Sequence, residues 1–195
     1  MITSIQKLIK ELARHGIEAG LEEVSKLEEY LKLVLKWSKK TTIVSKRIEE
    51  NELLGLLFDS LIAAKVIEGK QVADLGTGAG FPGIPLAIHF PERRFTLVDV
   101  VRKKCIFLQY AKDALNLDNI EIFCDSWDLL GGYYDTVISM GTGLERVRKV
   151  AKRVLRKGGR FVYITNRDKN CFIETRNPFI KARTCVIVSR ETNRD

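Results

Sequence analysis

The stretch Gln71-Val72-Ala73-Asp74-Leu75-Gly76-Thr77-Gly78-Ala79-Gly80 decides the fold. Its first five residues form a short, mostly apolar run that breaks at a glycine, the pattern of a buried strand. The glycines that follow let the backbone turn sharply and approach a ligand closely. Pro82 and Pro85 stand where the first turn of a helix tolerates proline. The whole reads as strand, loop and helix, with the helix's free N–H groups aimed at whatever the loop holds.

Downstream the same alternation repeats. Residues 94–98 predict a second strand ending at Asp99. Residues 103–115 predict a helix with Ile106, Phe107, Tyr110, Ala111 and Ala114 on its inner side. Strands follow at 120–124 and 135–139, then a helix at 144–155 that Gly158-Gly159 breaks, then a fifth strand at 160–165. Residues 184–189 predict a further strand, an antiparallel edge, with no helix legible before it. Such alternation implies a parallel sheet covered on both faces, the doubly wound α/β class.

Upstream the period is helical. Ile5, Leu8, Ile9 and Leu12 share one helix face, and His15-Gly16 ends it. A second helix starts near Leu21, with Glu22 and Glu23 opposing its dipole and a core face of Val24, Leu27, Leu31 and Val34/Leu35. A third carries Leu53, Leu54, Leu57, Leu61 and Ile62. The expected organisation is a helical cap over residues 1–68 and an α/β core over 69–195.

The chain of 195 residues has no apolar run reaching the ~18 residues of a membrane span. Its amino terminus has neither a secretory nor a transit pattern. Cys105, Cys124, Cys171 and Cys185 form no CxxC pair and read as reduced thiols of a cytoplasmic protein. His15 and His89 are the only histidines, and neither lies near a cysteine in sequence, so no metal site is expected. A net charge of +8 favours polyanionic partners, nucleic acid above all. A monomer with no membrane contact is expected.

Asp99, at the end of the second strand, is placed to accept from the ribose hydroxyls of a nucleoside cofactor. NAD and S-adenosylmethionine both meet that description. Gly78 to Gly83 fits GxGxxG, but the first glycine comes late after the strand and Pro82 removes an N–H from a pyrophosphate site. A carboxylate just ahead of the glycines, Asp74, repels a pyrophosphate and attracts the ammonium of a methionine moiety. S-adenosylmethionine is therefore the expected cofactor, with Asp74, Gly76, Gly78, Gly80 and Asp99 around it. The loop 125–128 comes near the purine in such a fold. Asp125 or Asp128 accepts from an exocyclic amine there, and Trp127 either stacks or is a core aromatic at the loop edge.

Several stretches together resemble one family, the small-subunit rRNA methyltransferase G family, also called glucose-inhibited division protein B. They are Phe58-Asp59-Ser60-Leu61, the run from Asp74 to Leu86 with its Gly80-Phe81-Pro82-Gly83-Ile84-Pro85-Leu86 core, Thr96 to Asp99, Lys103-Lys104 with Phe107-Leu108, and Asn119. The resemblance implies a Rossmann-like class I S-adenosylmethionine-dependent methyltransferase fold with a small helical amino-terminal region. It implies methyl transfer to N7 of a guanine in 16S rRNA, with ribosomal RNA or the small subunit as partner. Cofactor contacts carry over to Gly76, Phe81, Trp127 and Asp128, and by the general fold to Asp99; the family's lysine near the target matches Lys103. The chain departs from the pattern at Ser126 and at Ser139-Met140-Gly141, where the family carries arginines, at Thr165-Asn166, and in a shorter carboxy-terminal region. Met140 is expected to line the methionine or methyl pocket instead.

N7 of guanine carries a lone pair and needs no proton removed, which agrees with the lack of a Ser/His/Asp or paired-carboxylate constellation. Neither an (Asp/Asn)-Pro-Pro-(Tyr/Phe) turn nor a Pro-Cys pair occurs, and Asn177-Pro178-Phe179 reads as a turn. Arg146, Lys149, Arg153 and Arg156 fall on one helical face opposite Val147, Val150, Ala151 and Val154. With Arg102, Lys103, Lys104, Lys36, Lys39, Lys40, Lys46 and Arg47 they form a candidate RNA footprint. Besides the rRNA enzyme, a non-catalytic or differently targeted RNA-binding relative and a small-molecule methyltransferase are the alternative readings.

Overall fold

The computed structural model describes residues 2–44, 48–166, 170–180 and 182–190, with side chains from residue 4 onward. Lys46 and Arg47 lie outside the described residues.

Three helices come first: α1 (Ile2–Arg14), α2 (Leu21–Ser38) and α3 (Glu50–Ile62). Gly16 takes the left-handed conformation that ends α1, with φ of 73°. A capping box starts α3: the Glu49 side chain accepts from the backbone of Glu52, whose side chain accepts from the N–H of Glu49. Then follow β1 (Gln71–Leu75), α4 (Gly83–His89), β2 (Arg94–Val98), α5 (Arg102–Ala114), β3 (Ile120–Phe123), β4 (Tyr134–Met140), α6 (Leu144–Val154), β5 (Leu155–Thr165), β6 (Ile173–Arg176) and β7 (Arg183–Arg190).

The seven strands form one sheet in the order β3-β2-β1-β4-β5-β7-β6. β1 pairs in parallel with β2 and β4, and the outer pairs β2–β3 and β4–β5 are parallel too. β7 runs antiparallel to β5 and β6. The expected antiparallel strand is therefore present, but it lies inside the sheet. The edge beyond it is β6, four residues that alternate between half-buried and exposed and leave no apolar run to detect.

The strand period of two sends side chains to two faces. Val72, Phe95, Leu97, Ile138, Val162, Ile164 and Val186 join one core with α1 to α5. Ala73, Leu75, Val98, Val137, Phe161, Tyr163 and Ile187 join a second core with α6. Coverage is thus unequal, and no helix is described between β5 and β6. α6 buries Val147, Val150, Ala151 and Val154, as its period predicts. α5 is rotated from expectation: Cys105, Phe107, Leu108 and Ala111 are buried, whereas Ile106 and Tyr110 are 52% and 44% exposed. β3 ends the sheet, so the outer flank of α5 has no strand beneath it.

The cysteines also differ from the sequence reading. Cys105 is bonded to Cys124 and Cys171 to Cys185. The topology brings the first turn of α5 beside the end of β3, with 5.9 Å between the Cα atoms, and the segment before β6 beside β7, at 5.2 Å. Among the described residues no helix is long and apolar enough to cross a membrane.

One polar knot ties the carboxy-terminal strands to α3. Asp59 Oδ1 accepts from Asn177 Nδ2 at 2.6 Å and from the Thr184 hydroxyl. Asn177 Nδ2 also donates to the Gly55 carbonyl at 3.0 Å, and its Oδ1 accepts from the Phe179 N–H. Asn177-Pro178-Phe179 is the β6–β7 turn, docked through these bonds. Burial raises the Asp59 carboxyl to about 6, opposed by the Thr184 and Asn177 bonds. Between pH about 4 and 6 the native state then holds this proton more tightly than the unfolded chain does. The stabilisation from Asp59 is full below the lower value and is lost as pH rises through about 6. In denaturant titrations across pH 4 to 7 the wild type should lose stability relative to Asp59→Asn as pH rises; a constant gap would contradict this assignment.

Candidate functional site

The glycine loop sits on the carboxyl ends of β1 and β2. Gly76 and Thr77 donate their N–H groups to the Val98 carbonyl at 2.9 and 3.1 Å, so the loop crosses above β2. Gly76 and Gly78 have φ of 76° and 63°, a backbone that side-chain-bearing residues rarely adopt. A Cβ on Gly76 would lie 2.6 Å from Thr142 Cγ2 and 3.3 Å from the Trp127 ring. Gly76 is thus the floor where the β4–α6 turn and the loop after β3 converge.

Asp74 supports this loop from below. It is 0% exposed, and its Oδ2 accepts from the Gly83 N–H at 2.9 Å, linking β1 to the start of α4. Burial pushes its carboxyl up to about 7, against the stabilising Thr77 hydroxyl and Gly83 N–H. Asp74 does not line the cleft, so the structure gives it a strut's position rather than direct reach to an ammonium. Gly80 and Phe81 also turn away, toward the cap. The Tyr30 hydroxyl donates to the Ala79 carbonyl at 2.9 Å, and the Tyr30 and Phe81 rings lie 5.1 Å apart.

A cleft of about 260 Å³ opens beside Gly76, walled by Val98, Asp99, Val100, Val101, Lys104, Asp125, Trp127, Thr142 and Arg146. Asp99 Oδ2 accepts from the Gly78 N–H at 3.0 Å, and Oδ1 accepts from the Val101 N–H at 2.9 Å. Lys104 Nζ stands 3.4 Å from Oδ2. An ionised carboxylate offers about four lone-pair sites, so Asp99 retains capacity for a hydroxyl. Trp127 forms the facing wall, and its Nε1 is buried with no hydrogen-bond partner. Val100 and the Trp127 ring line the same cleft, and with a carboxylate fixed by two backbone N–H groups they suit a purine nucleoside.

Of the two aspartates left open by the sequence, Asp125 lines the cleft and Asp128 stands on the outer rim. Asp128 lies 3.6 Å from the Arg146 guanidinium, which is stacked 4.9 Å over the Trp127 ring. Lys103 is exposed and outside the cleft wall, whereas its neighbour Lys104 lies within it. Met140 ends β4 paired with Ile164, and packs against the cap-side core rather than into the cleft. Ser126 caps the short 3-10 turn Trp127–Leu129. Ser139 donates to the Leu75 carbonyl at 2.6 Å and bonds the Thr142 hydroxyl. Val100, Val101 and Thr142 went unnoticed in the sequence, where nothing marks them. Tyr30 had a signal: a buried tyrosine on an apolar helix face needs a partner for its hydroxyl.

The basic helix face divides. Arg153 donates to the Trp127 and Leu130 carbonyls at 2.8 and 3.1 Å, and Arg156, which lies in β5 rather than α6, pairs with Asp135 at 2.9 Å. Those two cations hold the fold, while Lys149 is exposed.

The fold and this cleft define a Rossmann-like class I S-adenosylmethionine-dependent methyltransferase. Cofactor-bound Rv0187 from MTB has the same fold, with a TM-score of 0.62 at 16% identity, covering 87% of this chain and 91% of that one. Coclaurine N-methyltransferase bound to N-methylheliamine and SAH superposes with a TM-score of 0.52 at 17% identity, over 82% of this chain and 56% of that one. The family model for rRNA small subunit methyltransferase G matches residues 23–186. The ribosomal RNA small subunit methyltransferase G of Francisella philomiragia is 36% identical over 163 residues, 83% of this chain and 80% of the relative. That of Francisella tularensis subsp. novicida is 32% identical over an alignment of 201 positions, which spans 95% of this chain and 96% of the relative. The chain belongs to the rRNA small subunit methyltransferase G family.

The strut under the loop gives a direct test. A Cβ on Gly83 would lie 2.2 Å from Leu97 Cδ2 and 2.7 Å from Asp74 Oδ2. Gly83→Ala should therefore cost about 1–3 kcal/mol by overpacking and weaken S-adenosylmethionine binding through the displaced loop. Unchanged thermal unfolding and calorimetric affinity would show that Asp74 does not position it.

Proposed function

We propose that this chain transfers a methyl group from S-adenosylmethionine to N7 of a guanine in 16S rRNA, acting as a cytoplasmic monomer on the small ribosomal subunit. The observation that carries the reading is the cleft between Asp99 and Trp127, set on the glycine loop of a chain in the rRNA small subunit methyltransferase G family. In this reading residues 1–68 cap the α/β core.

Asp99 would hold the ribose hydroxyls, Trp127 and Val100 the purine faces, and the Gly76 and Gly78 backbone the approach to the loop. Asp74, Gly80 and Phe81 would act from beneath by fixing the loop's path. The cofactor, when bound, supplies an electrophilic methyl on a sulfonium. N7 needs no general base, so the protein's task is placement of the guanine in line with that methyl at near-contact distance. No proton has to move at the nucleophile, which suits a cleft whose ionisable groups are Asp99, Lys104, Asp125 and Arg146.

Arg146 is the residue best placed to orient the RNA. It stands in the first turn of α6, where the positive end of the helix dipole repels a cation, so its position is unfavourable for the helix and favourable for the cleft mouth. A guanidinium there offers paired N–H bonds to a phosphate or a guanine edge. It would replace the contact that the sequence lacks at Ser126 and Met140.

The test is transfer of labelled methyl from S-adenosylmethionine to undermethylated small subunits, with the labelled base mapped. Label at a guanine N7 is expected. Label on a small molecule only, or none in the presence of tight cofactor binding, would contradict the proposal. Arg146→Ala should lower kcat/KM for the subunit about 10-fold to 100-fold, as loss of a charged hydrogen bond does. It should leave the cofactor dissociation constant within about threefold, whereas Asp99→Ala should raise that constant more than tenfold.

A further inference from the structure

Residues 144–160 hold eight lysines and arginines against one acid, Glu145, which accounts for nearly all of the net charge of +8. They form α6 and the first half of β5, on the sheet face that one helix alone covers. The structure sorts these cations into two sets. Arg153, Arg156 and Arg160 are bound to carbonyls or carboxylates of the fold. Lys149, Lys152 and Lys157 are exposed and have no partner among the described residues.

Where a second covering helix would lie, a groove of about 270 Å³ opens between α6, β5 and β7. Ala151, Leu155 and Phe161 line its apolar part, and Arg148, Lys152 and Arg190 supply three cations to the same groove, with no acid among the described residues that line it. Arg148 and Arg190 pair outward, with Glu145 at 3.2 Å and Glu68 at 3.0 Å. All four of these groups are at least about a third exposed, and such pairs are weakly held and screened by salt. A phosphate entering the groove therefore competes with solvated carboxylates and, at Arg190, with a long bond to the Gly158 carbonyl at 3.5 Å, and two guanidinium groups suit its oxygens.

We infer that this groove binds a backbone phosphate of the ribosomal RNA, at a site separate from the cofactor cleft. The inference rests on the rRNA reading proposed above. α6 joins the two places: Arg146 in its first turn lines the cleft, and Arg148 and Lys152 line the groove. The helix is 11 residues long, about 16 Å at 1.5 Å per residue, so one strand can contact both ends. Two further exposed cations of the same segment, Lys149 and Lys157, favour a phosphodiester chain over a free nucleotide.

The experiment compares two triple variants of the full chain in salt titrations with purified 16S rRNA. Arg148→Gln, Lys152→Gln and Arg190→Gln together should reduce the slope of log affinity against log salt by about 1, as loss of one neutralised phosphate requires. They should raise KM for the subunit more than they lower kcat, and leave the affinity for S-adenosylhomocysteine unchanged. Lys10→Gln, Lys32→Gln and Lys65→Gln, with the same loss of charge on the cap side, should change the slope by less than half as much. Equal effects of the two triples would reduce the groove to net charge and overturn the site, as would a wild-type slope in the first triple. A wild type that binds 16S rRNA with the stated dependence but methylates nothing would count against the reaction and leave the groove standing.

Discussion

A buried carboxylate holds the site in shape. Asp74 stands at the carboxyl end of β1, fully enclosed, with the Gly83 N–H on its Oδ2. That bond fixes where α4 begins and hence the path of the six residues from Gly76 to Phe81. Asp99 does the same from the neighbouring strand, gathering the Gly78 and Val101 N–H groups onto one carboxylate. Between them the two aspartates settle the loop, the start of α5 and the wall of the cleft. Burial favours the neutral form of Asp74. Raising pH through about 7 therefore ionises a group that the fold prefers neutral, and the stability it lends declines over that range.

Two strands were legible to the residue, whereas β4 runs one residue further at each end and β5 begins at Leu155 and passes through Gly158-Gly159 instead of starting at 160. β1 and β2 have the expected bounds because short apolar runs ended in a glycine and an aspartate. The cap helices showed their core faces through Leu8, Leu12, Leu27, Leu31, Leu57 and Leu61, all buried. What failed depended on neighbours. The inner side of α5 was misjudged because Ile106 and Tyr110 are apolar on a helix that overhangs the sheet edge. β6 carries no apolar signal, since its hold on the fold comes from pairing with β7 and from Asn177 on Asp59. The cysteine pairs became visible only once the topology laid α5 against the end of β3.

The site was half legible for the same reason. Gly76, Asp99 and Trp127 lie in the cleft because their places at strand ends are set by the fold class. Lys103 and Lys104 are adjacent in sequence, and only helix phase, fixed by the burial of Cys105, Phe107 and Leu108, turns the second toward Asp99. Asp74 and Met140 follow strands whose alternation sends them to the cap side. The basic residues after β4 looked like one face. Their split into Arg153, bound to the Trp127 loop, and free Lys149 and Lys152 required the carbonyl geometry of that loop. Acids and glycines on the strand ends shape the cleft, while cations collect on the helix beside it.

The most direct measurement is a crystal structure of the chain with S-adenosylhomocysteine. The account predicts ribose hydroxyls on the Asp99 carboxylate, the purine between Val100 and Trp127, and the Asp74–Gly83 bond intact beneath. A ligand seated elsewhere, or an Asp99 that keeps only its protein partners while the nucleoside binds, would contradict it.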